Sequence, residues 1–386
     1  MPEEIQDLVI IGGGIMGLCT AYYASQFSNN IVILEKATIG PENQQAASFS
    51  LTRSIRNDYL DPLYAQLAYE ARRLWLELQH RATESFLIEC GCLNIARADV
   101  TPDLDATYAE QSYRVLNNLH LRTEAFTRDT LRQRFPQFEA DLGRLDVEAG
   151  FLYVPEITRT LLAALRENGV RIHERVEVGQ IRQQYGRLHV DSSAGALTTR
   201  KLVIVAGLGT NALLQQIEGC SMQFPLRPDR PRQCKYFIPP PAKRARFTPD
   251  VLPVFAYLDA GIYGHPLYEG KTPGVKIGFY YPPDAQVVST HIQDVQSFVD
   301  TCMPELRDAQ AVDVQDVDQC FYDLVADDNF ILGNLPGFAD VYVGVGWRGT
   351  GYKYAPWVGQ TLAHLALQAS TPHDISRFTP QRFGAS

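Results

Sequence analysis

The apolar positions of the chain fall into two kinds of block. Residues 7–12 (DLVIIG) and 30–35 (NIVILE) are short, almost unbroken apolar runs. Strands buried on both faces of a parallel sheet have this pattern. Between them, IMGLCTAYYASQF has a helical period, so the first forty residues predict strand, helix, strand. The order strand, glycine turn, helix returns in RKLVIVAGLGTNALL (200–214) and in VYVGVGWRGTGYKYAPWVGQTLAHLAL (341–367), and GVRIHERVEVGQI (169–181) is strand-like around Val176. A second kind of block alternates: GVKIGFY (274–280), CGCLNIA and VFAYLDAGIYG predict strands with one apolar face, and STHIQDVQSFVD predicts a helix. The Pro- and Arg-rich FPLRPDRPRQCKYFIPPPAKRARFTPD reads as a crossing followed by an exposed loop. These patterns predict an α/β chain, α+β overall, with a parallel-sheet part and a mixed part.

The glycines between the first strand and helix sharpen this picture. Gly12, Gly14 and Gly17 form GxGxxG, and Glu35 closes the next strand 18 residues after Gly17. A strand–glycine turn–helix–strand unit with an acid at that point is a dinucleotide fingerprint. The glycines admit a pyrophosphate close to the backbone, the helix start (Ile15, Met16) faces it with N–H groups, and Glu35, beside Lys36, is placed for ribose hydroxyls. In a simple nicotinamide enzyme further βαβ units would follow directly. Here the pattern does not return until residue 169, a layout suited to an extended FAD, although spacing alone leaves the choice open.

Composition narrows the classes. The chain has 386 residues, 45% hydrophobic, with no apolar run long enough to cross a bilayer. Its net charge of −9 argues against nucleic acid as a partner. The acidic start passes straight into a strand pattern, which speaks against a signal peptide. Seven scattered cysteines without a CxxC pair suggest a reduced, cytoplasmic protein and no metal site.

Five ordered segments carry a resemblance: VIIGGGIMG, LTRSIRNDYLD (51–61), GVKIGFY, CFYDLVADDNFILG (320–333) and GWRGTGYKYAPWVG (346–359). With them the chain resembles the monomeric sarcosine oxidase, N-methyltryptophan oxidase and pipecolate oxidase group of the D-amino-acid-oxidase-like FAD-dependent oxidoreductases. The resemblance covers nearly the whole chain. It implies a discontinuous Rossmann-like FAD-binding domain (1–85, 151–215 and 320–386) and an antiparallel-sheet substrate domain (86–150 and 216–319). It also implies a monomer that binds a small amino-acid substrate.

The resemblance assigns roles to residues whose ordinary readings stay open beside it. Cys320 would carry FAD through a thioether; a buried free cysteine is the plain alternative. Lys276 would support the reaction of reduced flavin with O2 by stabilising developing superoxide; otherwise it is a solvated strand lysine. Arg53 would sit beside the flavin ring, and Arg56 with Lys353 would hold a substrate carboxylate. If helical, Arg53 and Arg56 share a face, as two surface arginines also would. Ser48 and Thr52 fall in the early flavin loop, Gly207 follows a nucleotide-fold strand, and Gly349 and Gly351 lie in the loop that would approach the flavin pyrimidine edge.

Departures from the group concentrate in the substrate pocket. Thr350 and Tyr280 stand where relatives have histidines, Ala47 and Ser50 replace flavin-loop residues, and Tyr263 matches a pocket tyrosine in a segment one residue shorter. The implied activity is oxidation of a secondary, cyclic or N-alkyl amino acid, with hydride passing to flavin, an imine product, and O2 reduced to H2O2. The rivals are a same-fold dehydrogenase using a quinone or protein acceptor, a flavin-bearing binding protein without turnover, and a nicotinamide enzyme.

Overall fold

The computed structural model describes residues 4–40, 43, 46–48, 50–229, 234–280, 292–314 and 322–384. Cys320, the expected covalent attachment point, lies outside these residues.

The first predicted unit forms as expected. Strand β1 (Ile5–Ile11) leads through the glycines into helix α1 (Ile15–Ala24) and then strand β2 (Ile31–Glu35). β1 pairs in parallel with β2 on one side and with Gly195–Ile204 on the other, and β2 pairs in parallel with Arg171–Glu174. The strand beside β2 therefore does come from the distant 169–181 segment, but Val176, around which a strand was expected, lies between Arg171–Glu174 and the next strand, Val178–Gln184. Val341–Val345 extends the other flank, parallel to Gly195–Ile204. Leu8, Val9, Ile10 and Ile31 to Leu34 are all buried, which is why these strands read as continuous apolar runs. α1 packs against the helix Ala355–Gln368 so closely that a Cβ on Gly359 would lie 2.5 Å from the Cys19 backbone.

A second eight-stranded sheet runs Gln310–Asp313, Cys234–Ile238, Val275–Phe279, Ile262–His265, Val254–Tyr257, Cys92–Ala96, Leu142–Asp146, Thr123–Thr127. It differs from the expected all-antiparallel sheet at one place, where Val254–Tyr257 pairs in parallel with Cys92–Ala96. Cys234–Ile238 is an interior strand of this sheet, although the Pro- and Arg-rich stretch around it predicted a crossing and a loop. Val275 and Ile277 pack into an apolar cluster with Phe255, Phe298 and Leu306, which leaves Lys276 on the opposite face, as the alternation required.

A third, small sheet has three strands. Strand β3 (Thr52–Ile55) pairs antiparallel with Gly150–Tyr153, which also holds Leu87–Ile88. Arg53 therefore sits on a strand, and the helical face-sharing of Arg53 and Arg56 does not arise. Pairing with a partner about a hundred positions away decides the conformation of these four residues, and no local pattern reports it. Helix α2 (Pro62–Gln79) follows, started by Pro62 in its first turn and by the Asp61 carboxylate accepting from the Leu63 N–H at 2.9 Å. Among the described residues no helix is long and apolar enough to cross a membrane.

Candidate active site

The cradle at the start of α1 is built around two glycines that no other residue could replace. Gly12 has φ +114°, and its N–H donates to Leu34 O at 2.9 Å. A Cβ on Gly17 would meet Gly12 O at 1.9 Å, so the helix can approach the strand end only with glycine there. Gly14 is the N-cap and supplies no side chain. Ser48 reaches across instead, its Oγ accepting from the Ile15 N–H at 2.9 Å. Glu35 is pinned by two backbone donors, the Gly13 N–H at 2.6 Å and the Ala37 N–H at 2.9 Å. Val176 is buried and gives its N–H to Glu35 O at 2.9 Å, while Lys36 is exposed beside it. Gly207 has φ +54° and open space where a side chain would stand. A helix start of this kind, with an acid at the adjoining strand end, has the donor set for a nucleotide pyrophosphate and ribose.

The far end of the cradle joins the 346–354 loop. A Cβ on Gly351 would come within 3.2 Å of Met16 Cε. Gly349 has φ +70°, and a Cβ there would sit 2.8 Å from the Tyr322 ring. The buried Asp323 carboxylate organises this loop, accepting from the Gly346 N–H at 2.9 Å and the Trp347 N–H at 3.0 Å. Burial pushes its pKa up to about 6 against those bonds. Arg53 donates to Ala47 O at 2.8 Å and lies over the Tyr352 ring at 5.9 Å. Tyr352 in turn stacks on Trp75, whose indole N–H donates to Lys353 O at 2.8 Å.

Lys353 ends in a compact polar triangle. Its ammonium donates to the Tyr59 hydroxyl at 2.7 Å and to Thr350 Oγ1 at 2.7 Å, and those two oxygens are 2.6 Å apart. All three residues are buried. Burial lowers the Lys353 pKa, with Tyr59 opposing. Tyr59 shifts below the ordinary phenol range: burial acts the other way, but Lys353 and the Arg56 guanidinium, 4.8 Å over its ring, outweigh it. Sequence reasoning missed Tyr59, although it lies three residues after Arg56 in the segment already singled out.

Arg56 is buried and anchored. Its Nη1 donates to Asp58 O at 2.8 Å and Asp58 Oδ1 at 2.7 Å. The pair raises the arginine pKa well above its usual value in spite of burial. Asp58 also accepts from Asn94, on a strand of the second sheet. Next to it, Asp146 accepts from the Asn57 N–H at 2.7 Å, and burial together with the Asp58 charge pushes its pKa up to about 7. This network was not legible beforehand, because its members come from segments far apart in sequence.

Lys276 is 1% exposed and donates to Ser50 Oγ at 2.8 Å. Opposite it in register stands His265, a second residue the sequence reading missed; alternation along Ile262–His265 puts it on the same face as Tyr263. Its ring nitrogens share hydrogen bonds with the Thr52 and Ser54 hydroxyls, both at 2.7 Å, tying β3 to the second sheet. Burial, then Lys276, Arg53 and Lys353, drive its pKa well below the ordinary histidine value, so it is neutral at physiological pH. Tyr263 and Tyr280 lie in an aromatic cluster with Tyr108, Tyr322 and Leu258, and the Tyr108 hydroxyl donates to Asp58 O at 3.1 Å. Gly12, Gly14, Ile15, Met16, Gly17, Glu35 and Ser48 thus lie on the glycine cradle, Arg56, Thr350 and Lys353 in the polar cluster, and Tyr263 and Tyr280 in the tyrosine cluster.

Comparison with known proteins agrees with this geometry. A family model described as DAO, FAD dependent oxidoreductase, matches residues 7–365. The chain is 27% identical to the peroxisomal sarcosine oxidase of Homo sapiens over 398 residues, covering 99% of this chain and 97% of that protein. It is 26% identical to the N-methyl-L-tryptophan oxidase of Yersinia pestis, covering 98% and 99%. Among solved structures, the L-proline dehydrogenase of P. horikoshii superimposes with a TM-score of 0.78 at 18% identity, covering 99% of this chain and 98% of the other. The cradle described above fits FAD: the glycine approach, the side-chain-free N-cap and the fixed Glu35 are what its pyrophosphate and ribose require.

Proposed function

This chain belongs to the FAD-dependent oxidoreductase family of the DAO type, and from that premise we propose that it is an oxidase of a secondary, cyclic or N-alkylated amino acid. Gly12, Gly14, Ile15, Met16, Gly17, Glu35, Lys36, Ser48, Thr52, Arg53, Val176, Gly207, Gly349, Gly351 and Lys353 would hold FAD, with Cys320 as its tether. We assign residues 1–85, 151–215 and 320–386 to the cofactor domain, and 86–150 and 216–319 to the substrate domain. Bound FAD supplies a two-electron acceptor for a C–H bond next to an amine nitrogen and passes the electrons on to O2.

The observation that carries this reading is the buried charge at the Arg56–Lys353 end of the cradle. Asp58 is the carboxylate bonded to Arg56, and it also accepts from Asn94, whereas among the described residues the hydrogen bonds of the Lys353 ammonium go only to the Tyr59 and Thr350 hydroxyls. A buried cation left over in this way is strongly stabilised by an incoming carboxylate. The tyrosine-rich wall of Tyr108, Tyr263 and Tyr280 supplies an apolar surface for a side chain or ring. A neutral amine needs no strong base, and His265, itself neutral and spanning two hydroxyls, keeps β3 fixed. Lys276 holds a positive charge in a water-poor site, where it favours transfer of negative charge onto O2.

An oxygen-electrode assay tests the reaction class. With a turned-over amino acid, oxygen should fall without any added acceptor, and catalase should return half of the oxygen consumed. Turnover only with an artificial electron acceptor would instead assign the chain to the dehydrogenases.

A further inference from the structure

We propose that Asp58 sets the affinity of the site for its substrate: it holds Arg56 in a neutral buried pair, so that of the two cations only Lys353 offers a net charge to the substrate carboxylate. The inference rests on the amino-acid reading above and deepens it.

The geometry of the pair carries the argument. Asp58 is 1% exposed and Arg56 5%, so water screens little of their attraction. Arg56 Nη1 reaches both the Asp58 carbonyl, at 2.8 Å, and the Asp58 carboxylate, at 2.7 Å, which ties main chain and side chain to one nitrogen. The second carboxylate oxygen is taken by the Asn94 amide, from strand Cys92–Ala96 of the second sheet. The preceding residue is fixed as well: the Asn57 N–H donates to Asp146 at 2.7 Å and its side-chain amide to Glu148 O at 3.2 Å. A carboxylate held in this way cancels the arginine charge whether or not substrate is present. The other N–H groups of Arg56 remain donors, but without net charge behind them.

The chemistry gives the pairing a consequence. Oxidation of a C–H bond beside the amine leaves the carboxylate unchanged, so the site grips substrate and imine product alike. Affinity of this uniform kind lowers KM and slows product release without speeding the reaction. A second uncancelled cation would add that kind of affinity, and it would leave the empty site with two unpaired buried charges. Asp58 prevents both.

The test is a titration of FAD-loaded wild-type, Asp58→Asn and Asp58→Ser proteins with pyrrole-2-carboxylate, a planar analogue of a cyclic amino acid, followed through the flavin absorption band. Pyrrole-2-carboxamide is the neutral control. Asn94 Oδ1 is buried without a partner among the described residues, so in Asp58→Asn the Asn94 amide can turn over and accept from the substituted side chain. The titration is run at mildly acidic pH, where Lys353 is protonated and Asp146, whose pKa burial and the Asp58 charge push up to about 7, keeps its proton. Removing the Asp58 charge should tighten the acid by about 10-fold or more, as one uncancelled charge nearby does, with the amide unchanged. With a turned-over amino acid, KM should fall and kcat should not rise. Damage to the site would weaken both ligands, so a gain confined to the acid in either variant supports the role of the charge. Acid binding that is unchanged or weaker in both variants, or loss of FAD by both, would overturn that role and leave the amino-acid reading standing. A wild-type enzyme with no preference for the acid over the amide would overturn both.

Discussion

Replacing Lys276 by Met is expected to slow reaction of the reduced enzyme with oxygen by about 100- to 1,000-fold, while reduction of the enzyme by substrate stays close to wild type. The reasoning is electrostatic. Transfer of the first electron to O2 creates a negative charge, and a fixed ammonium nearby stabilises that charge far more in a buried site than in water. Lys276 lies on an interior strand, is 1% exposed and is aimed by Ser50 Oγ at 2.8 Å. Met has a similar length and no charge, so packing is largely kept and the loss is one of field. Separate anaerobic-reduction and reoxidation traces in a stopped-flow instrument would distinguish the two half-reactions. A variant that reoxidises at the wild-type rate would remove Lys276 from the oxygen chemistry.

Gly17→Ala is expected to yield protein that has lost its FAD. The added methyl would lie 1.9 Å from Gly12 O, a backbone atom of the cradle itself, so α1 must move away from β1. An extra methyl group in a packed core costs about 1–3 kcal/mol. Here the displaced atoms are those that face the cofactor, so the loss should be near the upper end, about 100-fold in FAD affinity. The ratio of flavin to protein absorbance after purification measures it. Full flavin content in Gly17→Ala would mean that the close approach of helix and strand does not matter for the cofactor.

The cradle was legible in the sequence because its signals are local. β1 and β2 are apolar throughout since both faces are covered, and Gly12, Gly14, Gly17 and Glu35 fall within one strand–helix–strand unit. Lys276 was legible as a polar residue on the far face of an alternating strand. Tyr59, His265, Asp58 and Asp146 were not. Each acquires its role from a partner fifty or more positions away: Tyr59 from Lys353, His265 from Thr52, Asp58 from Tyr108, Asp146 from Asn57. The strand state of Arg53 and of residues 234–238 was hidden for the same reason. Arg53 is neutral to strands, and the strand-favouring Tyr236, Phe237 and Ile238 are flanked by Pro and Arg that read as a loop, so pairing across the fold decides.

The central claim is that the cationic end of the cradle selects amines that carry a carboxylate. It is tested most directly by mixing the FAD-loaded enzyme without oxygen against matched pairs: sarcosine and dimethylamine, proline and pyrrolidine, pipecolate and piperidine. Loss of the visible flavin band with at least one acid and with none of the bare amines is the predicted result. Bleaching by an amine as fast as by its acid, or by no member of any pair, would contradict it.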